Sequence, residues 1–343
     1  MADVAARAGV STATVSRALR DLPGVSDQTR RRIKTIAEEM AYVVSPEASA
    51  LAKRVTGRVA VVLPRADIWF YATMLASINR VLTDAGLDVL LYQVDGVEQR
   101  TRFFRELPAR RKVDALVLVA LPVLHHEASR LGLMRVHVVV AGGQIGQHPH
   151  VRVDDAAVAA TAVGHLTRLG HRRIGMIRTS DTEGTYWSSD AERSRGYREA
   201  LLAAGLEPDP AYVVTRPFGI EAGASGMAAL LDLPEPPTAV FAFSDEIALS
   251  ATHELHTRGL RVPEDVSVIG VDGHPLAGVF GLDTVDQSVA EQGRLAGEMA
   301  LALVSGDELS RHHVVVPTRL VLRGSTSAPG AGRRRDPLRA VEH

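Results

Sequence analysis

Beyond Gly57 the chain alternates between continuous aliphatic runs and stretches with helical spacing, and this alternation limits the fold more than any other feature. Residues 59–63, 89–94, 115–121 and 136–140 form one set of runs, and 174–177, 212–215, 239–243 and 266–271 form a second. A strand with one wet face alternates apolar and polar residues, whereas a strand covered on both faces is apolar throughout. Runs of the second kind, separated by amphipathic helices, predict an α/β fold with parallel sheets. Two sets predict two similar subdomains. In open parallel sheets a ligand sits beyond the carboxyl ends of the strands, so two such subdomains place it in the cleft between them.

The remaining sequence narrows the class. The longest apolar stretch, 115–124, is about half of the ~18 residues that a membrane span needs and contains Pro122, so no membrane partner is expected. Asp3 and Arg7 stand where a signal peptide would carry its apolar segment, which predicts a cytoplasmic protein. Zero cysteines exclude disulfides, thiolate zinc sites, iron–sulfur clusters and thiol catalysis together. Neither a cofactor nor a metal is expected.

Charge divides the chain. Residues 1–58 hold ten Lys/Arg against six Asp/Glu, while the remainder holds 29 against 34. A basic front on an acidic body suits a small nucleic-acid-binding module, because phosphate neutralisation needs positive charge on one surface. Lys34, Lys53 and Lys112 are the only lysines, so each arginine carries less functional weight than it would in a mixed composition.

That front reads as three helices. Val4, Ala5 and Ala8 give one face of a first helix that stops at Gly9, Ser11 caps a second running to about Arg20, and 22–24 form a loop. Ser26 caps a third, with Ile33, Ile36, Ala37 and Met40 on its buried side. On a wheel, Val15, Ala18 and Leu19 share one arc of the second helix, opposite Thr12, Ala13, Ser16, Arg17 and Arg20. Small polar residues plus Arg suit the major groove, where Arg bonds a guanine edge bidentately; an ordinary amphipathic surface helix has the same pattern. The first helix starts almost uncapped at Met1, which predicts a natural chain that begins a few residues upstream.

The segment 3–19, Asp-Val-Ala-Ala-Arg-Ala-Gly-Val-Ser-Thr-Ala-Thr-Val-Ser-Arg-Ala-Leu, resembles the helix-turn-helix signature of the lactose-repressor/galactose-repressor family of bacterial transcription regulators. The likeness continues through Val25-Ser26, Thr29-Arg30 and Tyr42, then along the body to Arg323-Gly324-Ser325-Thr326. It implies that Thr12, Ala13 and Arg17 read base edges, while Ser11, Thr14, Ser16, Ser26 and Thr29 contact the DNA backbone or cap helices. Residues 43–56 resemble the family's hinge helix, with Ala48 and Leu51 at the positions that wedge into the minor groove. The family usually has Pro two residues after the tyrosine; here Val44 stands there and Pro46 is displaced.

The body is similar to the periplasmic-binding-protein type (type 1) of effector domain. Its landmarks are His165-Leu166, 169–174, Arg193 with Gly196-Tyr197, Ser244-Asp245, 269–272 and 317–320. By that resemblance Arg193 and Asp272 bond ligand hydroxyls or a carboxylate, Phe218 stacks on an apolar sugar face and Ser244 makes a polar ligand contact. Arg193 could instead pair with Glu192 or Asp190, and Asp272 could cap a helix. Ile68-Trp69-Phe70-Tyr71 stand where the family often shows Asn-Pro-Phe-Phe, and Trp69 and Tyr71 make the other wall more aromatic and less charged.

The expected organisation is a helix-turn-helix headpiece at 1–43, a hinge at 44–56, an effector-binding and dimerisation domain at 57–326 and a mobile tail at 327–343. The N-subdomain takes about 57–156 plus segments returning after 285, and the C-subdomain about 157–285. The expected function is a homodimeric repressor on a near-palindromic double-stranded operator, controlled by a small polar effector such as a sugar.

Two rivals share the body, an α/β enzyme and a soluble sugar-binding protein. No Gly-rich phosphate loop or nucleophile elbow occurs, and His253-Glu254-Leu255-His256 is one residue short of zinc-protease spacing. His125-His126 and His312-His313 are adjacent pairs that point in different directions. A sugar-binding protein has no use for residues 1–56.

Overall fold

Glycine and serine punctuation cuts the front of the chain into α1 (Ala2–Ala8), α2 (Thr12–Leu19) and α3 (Asp27–Glu39). In the computed structural model, residues 1–40, 42, 56–121, 123–180 and 188–330 are described, and the chain divides into two units, Met1–Gly57 and Arg58–His343. α1 ends on Gly9 at φ 63°, a left-handed cap that L-residues resist. Ser11 Oγ accepts from the Thr14 N–H at 3.1 Å and Ser26 Oγ from the Thr29 N–H at 3.3 Å, so each serine satisfies an orphan donor of its helix. Met1, the cap position of α1, makes no side-chain cap. Val4, Ala5, Ala8, Val15, Ala18, Ile33 and Ala37 form the buried centre, and Ile36 and Met40 pack half-buried against it.

The second unit contains two sheets. The first is built from β1 (Arg58–Leu63), β2 (Asp88–Gln93), β3 (Ala115–Val119), β4 (His137–Ala141), β5 (His150–Arg152) and β11 (His313–Val315), in the order β11-β5-β4-β3-β1-β2, all parallel. The second uses β6 (Ile174–Ser180), β7 (Val213–Pro217), β8 (Ala239–Ala242), β9 (Ser267–Asp272), β10 (Asp283–Asp286) and β12 (Arg319–Val321), in the order β12-β10-β9-β8-β6-β7. Only β12 runs antiparallel, beside β10. Helices α4 (Trp69–Asp84), α5 (Gly96–Glu106) and α6 (His125–Leu131) belong to the first half. α7 (Asp155–Arg168), α8 (Ser188–Ala203), α9 (Glu221–Leu231), α10 (Asp245–Thr257) and α11 (Pro275–Val279) belong to the second.

The aliphatic runs of β1, β3 and β9 are strands with buried side chains on both faces, as their continuous apolarity requires, whereas β2 and β7, at the sheet edges, are half-buried to exposed despite the same apolar pattern. The four strands absent from the sequence reading are β5, β10, β11 and β12, each three or four residues long and mixed in polarity. β10 lies inside its sheet yet carries Asp283, whose carboxylate accepts from the N–H groups of Arg323 and Gly324 and from the Thr326 hydroxyl. Polarity inside the sheet is thus satisfied by the family-like segment 323–326.

The chain returning after 285 divides its allegiance. α12 (Val289–Ser305) packs along α4, and Gly293 permits the approach, since a Cβ there would fall 2.7 Å from the Met74 carbonyl oxygen. β11 then completes the first sheet, and β12 joins the second. The expected mobile tail is fixed at its start: Ser327 N–H donates to Ser267 Oγ at 3.0 Å, and His171 Nε2 lies 2.8 Å from the Ser327 carbonyl oxygen. Residues 331–343, and hinge residues Ala48 and Leu51, lie outside the described residues.

Candidate DNA-reading face and effector cleft

On α2, Val15 and Ala18 are buried while Thr12, Ala13 and Arg17 are exposed, the division that the wheel predicts. The Arg17 carbonyl accepts from the Leu22 N–H at 2.9 Å, while its guanidinium forms no hydrogen bond or ion pair among the described residues. The other polar residues are partly engaged. The Ser11 and Thr14 hydroxyls are 2.9 Å apart, as are those of Ser26 and Thr29, and Ser16 receives the Arg20 guanidinium. Arg30 is a residue whose role sequence reasoning missed. Its Nη2 donates to the Leu22 carbonyl at 2.9 Å, and its Nη1 lies 3.4 Å from the Ala18 carbonyl and 3.3 Å from Asp21, so it ties the end of α2 to α3. Lys34 adds a 2.8 Å bond to Asp21, and with Arg30 it holds that carboxyl below its ordinary value, the Lys34 bond being the main cause.

In the second unit a cavity of about 50 Å³ lies between the two sheets, within a larger cleft that opens to solvent. Its lining follows directly from strand ends: Ile68, Phe70 and Tyr71 after β1, Ala120 after β3, Gly142 after β4, Val153 and Asp155 after β5. Phe218 follows β7, Phe243, Ser244 and Glu246 follow β8, Asp272 ends β9 and Gln287 follows β10, while Ser189 and Arg193 come from α8 and Gln292 from α12. Convergence of strand C-termini on one cavity is the geometry in which doubly wound sheets bind ligands. Backbone strain gathers in the same place. Ala120 sits at φ 40° and Asp272 at φ 134°, both in the region that side chains disfavour, and such strain persists where the surroundings over-determine it.

Arg193 is buried and held in three ways. Its Nε donates to Asp155 at 2.8 Å, its Nη1 donates to the Phe243 carbonyl at 2.5 Å, and its guanidinium carbon lies 4.5 Å from the Phe243 ring centroid. The alternatives for its partner fall away, because Asp190 bonds Arg178 and Glu192 bonds Arg195. Asp272 caps no helix. The cap of α11 is His274, whose Nδ1 accepts from Leu276 at 3.0 Å, whereas Asp272 accepts from Gln287 Nε2 at 2.5 Å. Burial, with the neighbouring Asp245 carboxylate, lifts the Asp272 carboxyl well above the usual range, and burial raises Asp245 to about 6. Ser244 lines the cavity and also caps α10, accepting from the Ile247 N–H at 3.3 Å. Phe218 meets Phe243 edge-on at 6.2 Å, and Phe70 meets Tyr71 edge-on at 5.3 Å.

Trp69 stands apart from the other residues expected at the ligand. It does not line the cavity; its ring lies 4.7 Å from that of His274, a contact between the two halves at the cleft. Its backbone N–H acts on the Glu246 carboxylate, and burial outweighs that pull, so the Glu246 carboxyl stands above its ordinary value. The large residue at position 69 therefore found an aromatic neighbour across the gap. Asp155, Glu246, Gln287 and Gln292 are lining residues absent from the sequence reading. Other family-like landmarks are structural: His165 Nε2 lies 2.8 Å from the Thr326 hydroxyl, and His171 Nδ1 lies 2.8 Å from the Thr238 hydroxyl. Among the described residues there is no cluster of His, Asp and Glu that could hold a metal, and no helix is long and apolar enough to cross a membrane.

A helix-turn-helix unit followed in one chain by a two-lobed ligand-cleft body defines a DNA-binding transcription regulator. Residues 1–45 match the family described as bacterial regulatory proteins, lacI family, and 163–326 match the periplasmic binding protein-like domain. The HTH-type transcriptional repressor CytR of Escherichia coli (strain K12) is 33% identical over 333 residues, covering 96% of each protein. Among solved structures, the transcriptional regulator CelR–cellobiose complex is 31% identical with a TM-score of 0.71, covering 94% of this chain and 98% of that one. The lac repressor dimer bound to operator and the anti-inducer ONPF has a TM-score of 0.82 at 24% identity, covering 95% and 98%, a likeness of fold. The chain belongs to the lacI family of bacterial regulatory proteins.

Proposed function

We propose that this regulator is a cytoplasmic, non-catalytic repressor that binds a near-palindromic operator as a homodimer and changes operator affinity when a small polar ligand enters the cleft. Thr12, Ala13 and Arg17 read bases; Ser11, Thr14, Ser16, Ser26 and Thr29 hold the DNA backbone or their own helices. Leu51 and Ala48 act in the minor groove. Arg193, Asp272, Phe218, Ser244 and Tyr71 serve the ligand, and Trp69 serves cleft closure. The observation that carries the reading is the convergence of strained strand ends, aromatic rings and buried carboxylates on one cavity. The cellobiose complex of CelR supports a small-molecule effector. Pairing of two copies is supported by Leu276, Val279 and Phe280, which are 45%, 74% and 68% exposed on and beside one short helix, an apolar surface of the kind that marks interfaces.

Selection of binding sites from random duplex DNA, followed by ligand titration of the protein–DNA complex, tests this. Inverted half-sites and a ligand-dependent change in affinity are expected, with Asp272→Asn removing the change while sparing ligand-free DNA binding. A single unrepeated site, or ligands that bind without changing DNA affinity, would count against it.

A further inference from the structure

The charges lining the cleft are unequal. Asp155, Glu246 and Asp272 contribute three carboxylates, and Arg193 is the single guanidinium among the lining residues. Arg193 is already committed to Asp155 and to the Phe243 carbonyl. Of the nearby cations, Arg65 pairs with Asp67 at 2.6 Å, while Arg152, which is not among the lining residues, donates to the Val153 carbonyl at 3.0 Å and keeps a buried Nε without a partner. Asp272 accepts from an uncharged amide, and among the described residues neither it nor Glu246 forms an ion pair. Uncharged groups tilt the same way. Gln292 is fully buried and donates through Nε2 to the Gln287 backbone carbonyl at 2.8 Å, which fixes its orientation, because the flipped amide would set two oxygens together. Its Oε1, on a residue that lines the cavity, has no hydrogen-bond partner. The remaining wall, Phe70, Tyr71, Phe218 and Phe243 with Ile68 and Val153, offers no positive charge.

We propose that this cleft takes an uncharged or amine-bearing effector, rich in hydrogen-bond donors and with one apolar face, and excludes the phosphorylated or carboxylated forms of the same compound. The inference rests on the effector-controlled reading above and specifies its ligand class. An O–H or N–H donor satisfies Gln292 Oε1 and the second oxygen of Asp272, and an ammonium group also meets Glu246 and the aromatic faces. A phosphate would bring two negative charges to a cleft whose described lining residues hold three carboxyl groups and one guanidinium, itself already engaged, and such an electrostatic mismatch excludes wrong ligands. A kinase-class reaction, transferring a phosphoryl group to the effector's hydroxyl, therefore consumes the signal.

The test is thermal shift and calorimetry of the full chain with pentoses, hexoses, disaccharides, amino sugars and nucleosides, each beside its phosphate ester. Every hit should be uncharged or an amine, with its phosphate ester at least about tenfold weaker. Glu246→Gln should narrow that gap, with its unfolding transition recorded first to establish that it is folded. A phosphate ester binding as well as its parent overturns the proposal, and so does a panel without one uncharged or amine hit. Each binder is then added to the preformed DNA complex. An anionic binder that shifts DNA affinity refutes the charge rule and leaves the regulator reading intact, whereas a neutral binder that saturates the cleft without any shift does the reverse.

Discussion

Replacing Arg193 with alanine would strand a carboxylate. Asp155 is mostly buried, and Arg193 supplies both its hydrogen bond and its counter-charge at 2.8 Å. Breaking a buried pair from one side costs about 3–5 kcal/mol, more than the pair contributes, because the survivor keeps its desolvation penalty. With about 2.1 cal/mol/K of unfolding entropy per residue over Arg58–His343, that loss lowers Tm by about 5–8 °C. The pH dependence is specific. Burial already raises the Asp155 carboxyl above its ordinary value, against the pull of Arg193, so its ionised form is disfavoured in the folded state. A raised folded pKa means stability that is full below the unfolded value, about 4, and is lost as pH rises through the folded one. Without Arg193 the folded value climbs further, so the variant's deficit should be small near pH 4 and large near pH 8. Differential scanning calorimetry of both proteins at several pH values reads this directly, and the double variant Arg193→Ala/Asp155→Ala should recover much of the loss. A deficit independent of pH, or one below about 1 °C at pH 8, would refute the stranded-charge argument. Because Arg193 also carries the Phe243 carbonyl bond, it is a poor choice for isolating effector response; Asp272→Asn is the cleaner variant.

Three other outcomes are expected. Arg17→Ala should cost about 1–3 kcal/mol of DNA affinity and relax preference at one base pair per half-site, measured by competition among single-base operator variants. Ser11→Ala removes the cap of α2 and should destabilise the first unit by about 0.5–2 kcal/mol, visible as earlier loss of helical circular dichroism. In Gly223→Ala the new Cβ would stand 2.1 Å from the Ile247 carbonyl oxygen, so α9 and α10 must separate; a loss of at least about 1–3 kcal/mol in denaturant unfolding should follow.

The parts legible in the sequence are those set by local physics. Continuous aliphatic runs marked the long central strands, and the serine caps and buried face of α2 followed from 3.6-residue spacing and side-chain reach. The short strands β5 and β10 were not legible, since three or four mixed residues carry no period, and that omission hid cleft residues as well. Asp155 and Gln287 come just after those two strands, so their place in the cavity could not be seen until the strands were. Glu246 was within reach, two positions beyond Ser244 on the same helix start. The neighbour of Trp69 was hidden for a different reason: residue type suggested an aromatic surface, but which ring it would meet depended on His274, some two hundred positions away.

The divided return of the chain has a consequence during synthesis. A ribosome delivers 289–321 after every other strand and helix of the body, yet α12 covers α4, β11 completes one sheet and β12 the other. Neither half can therefore mature alone while the chain is being made; the first-made half waits with the apolar side of α4 bare until the last elements emerge, a period in which nascent chains are prone to aggregate. Premature termination before Ser305 would leave both halves unfinished, so truncated products should be degraded or insoluble and should not persist as a free DNA-binding fragment bearing a half-built body.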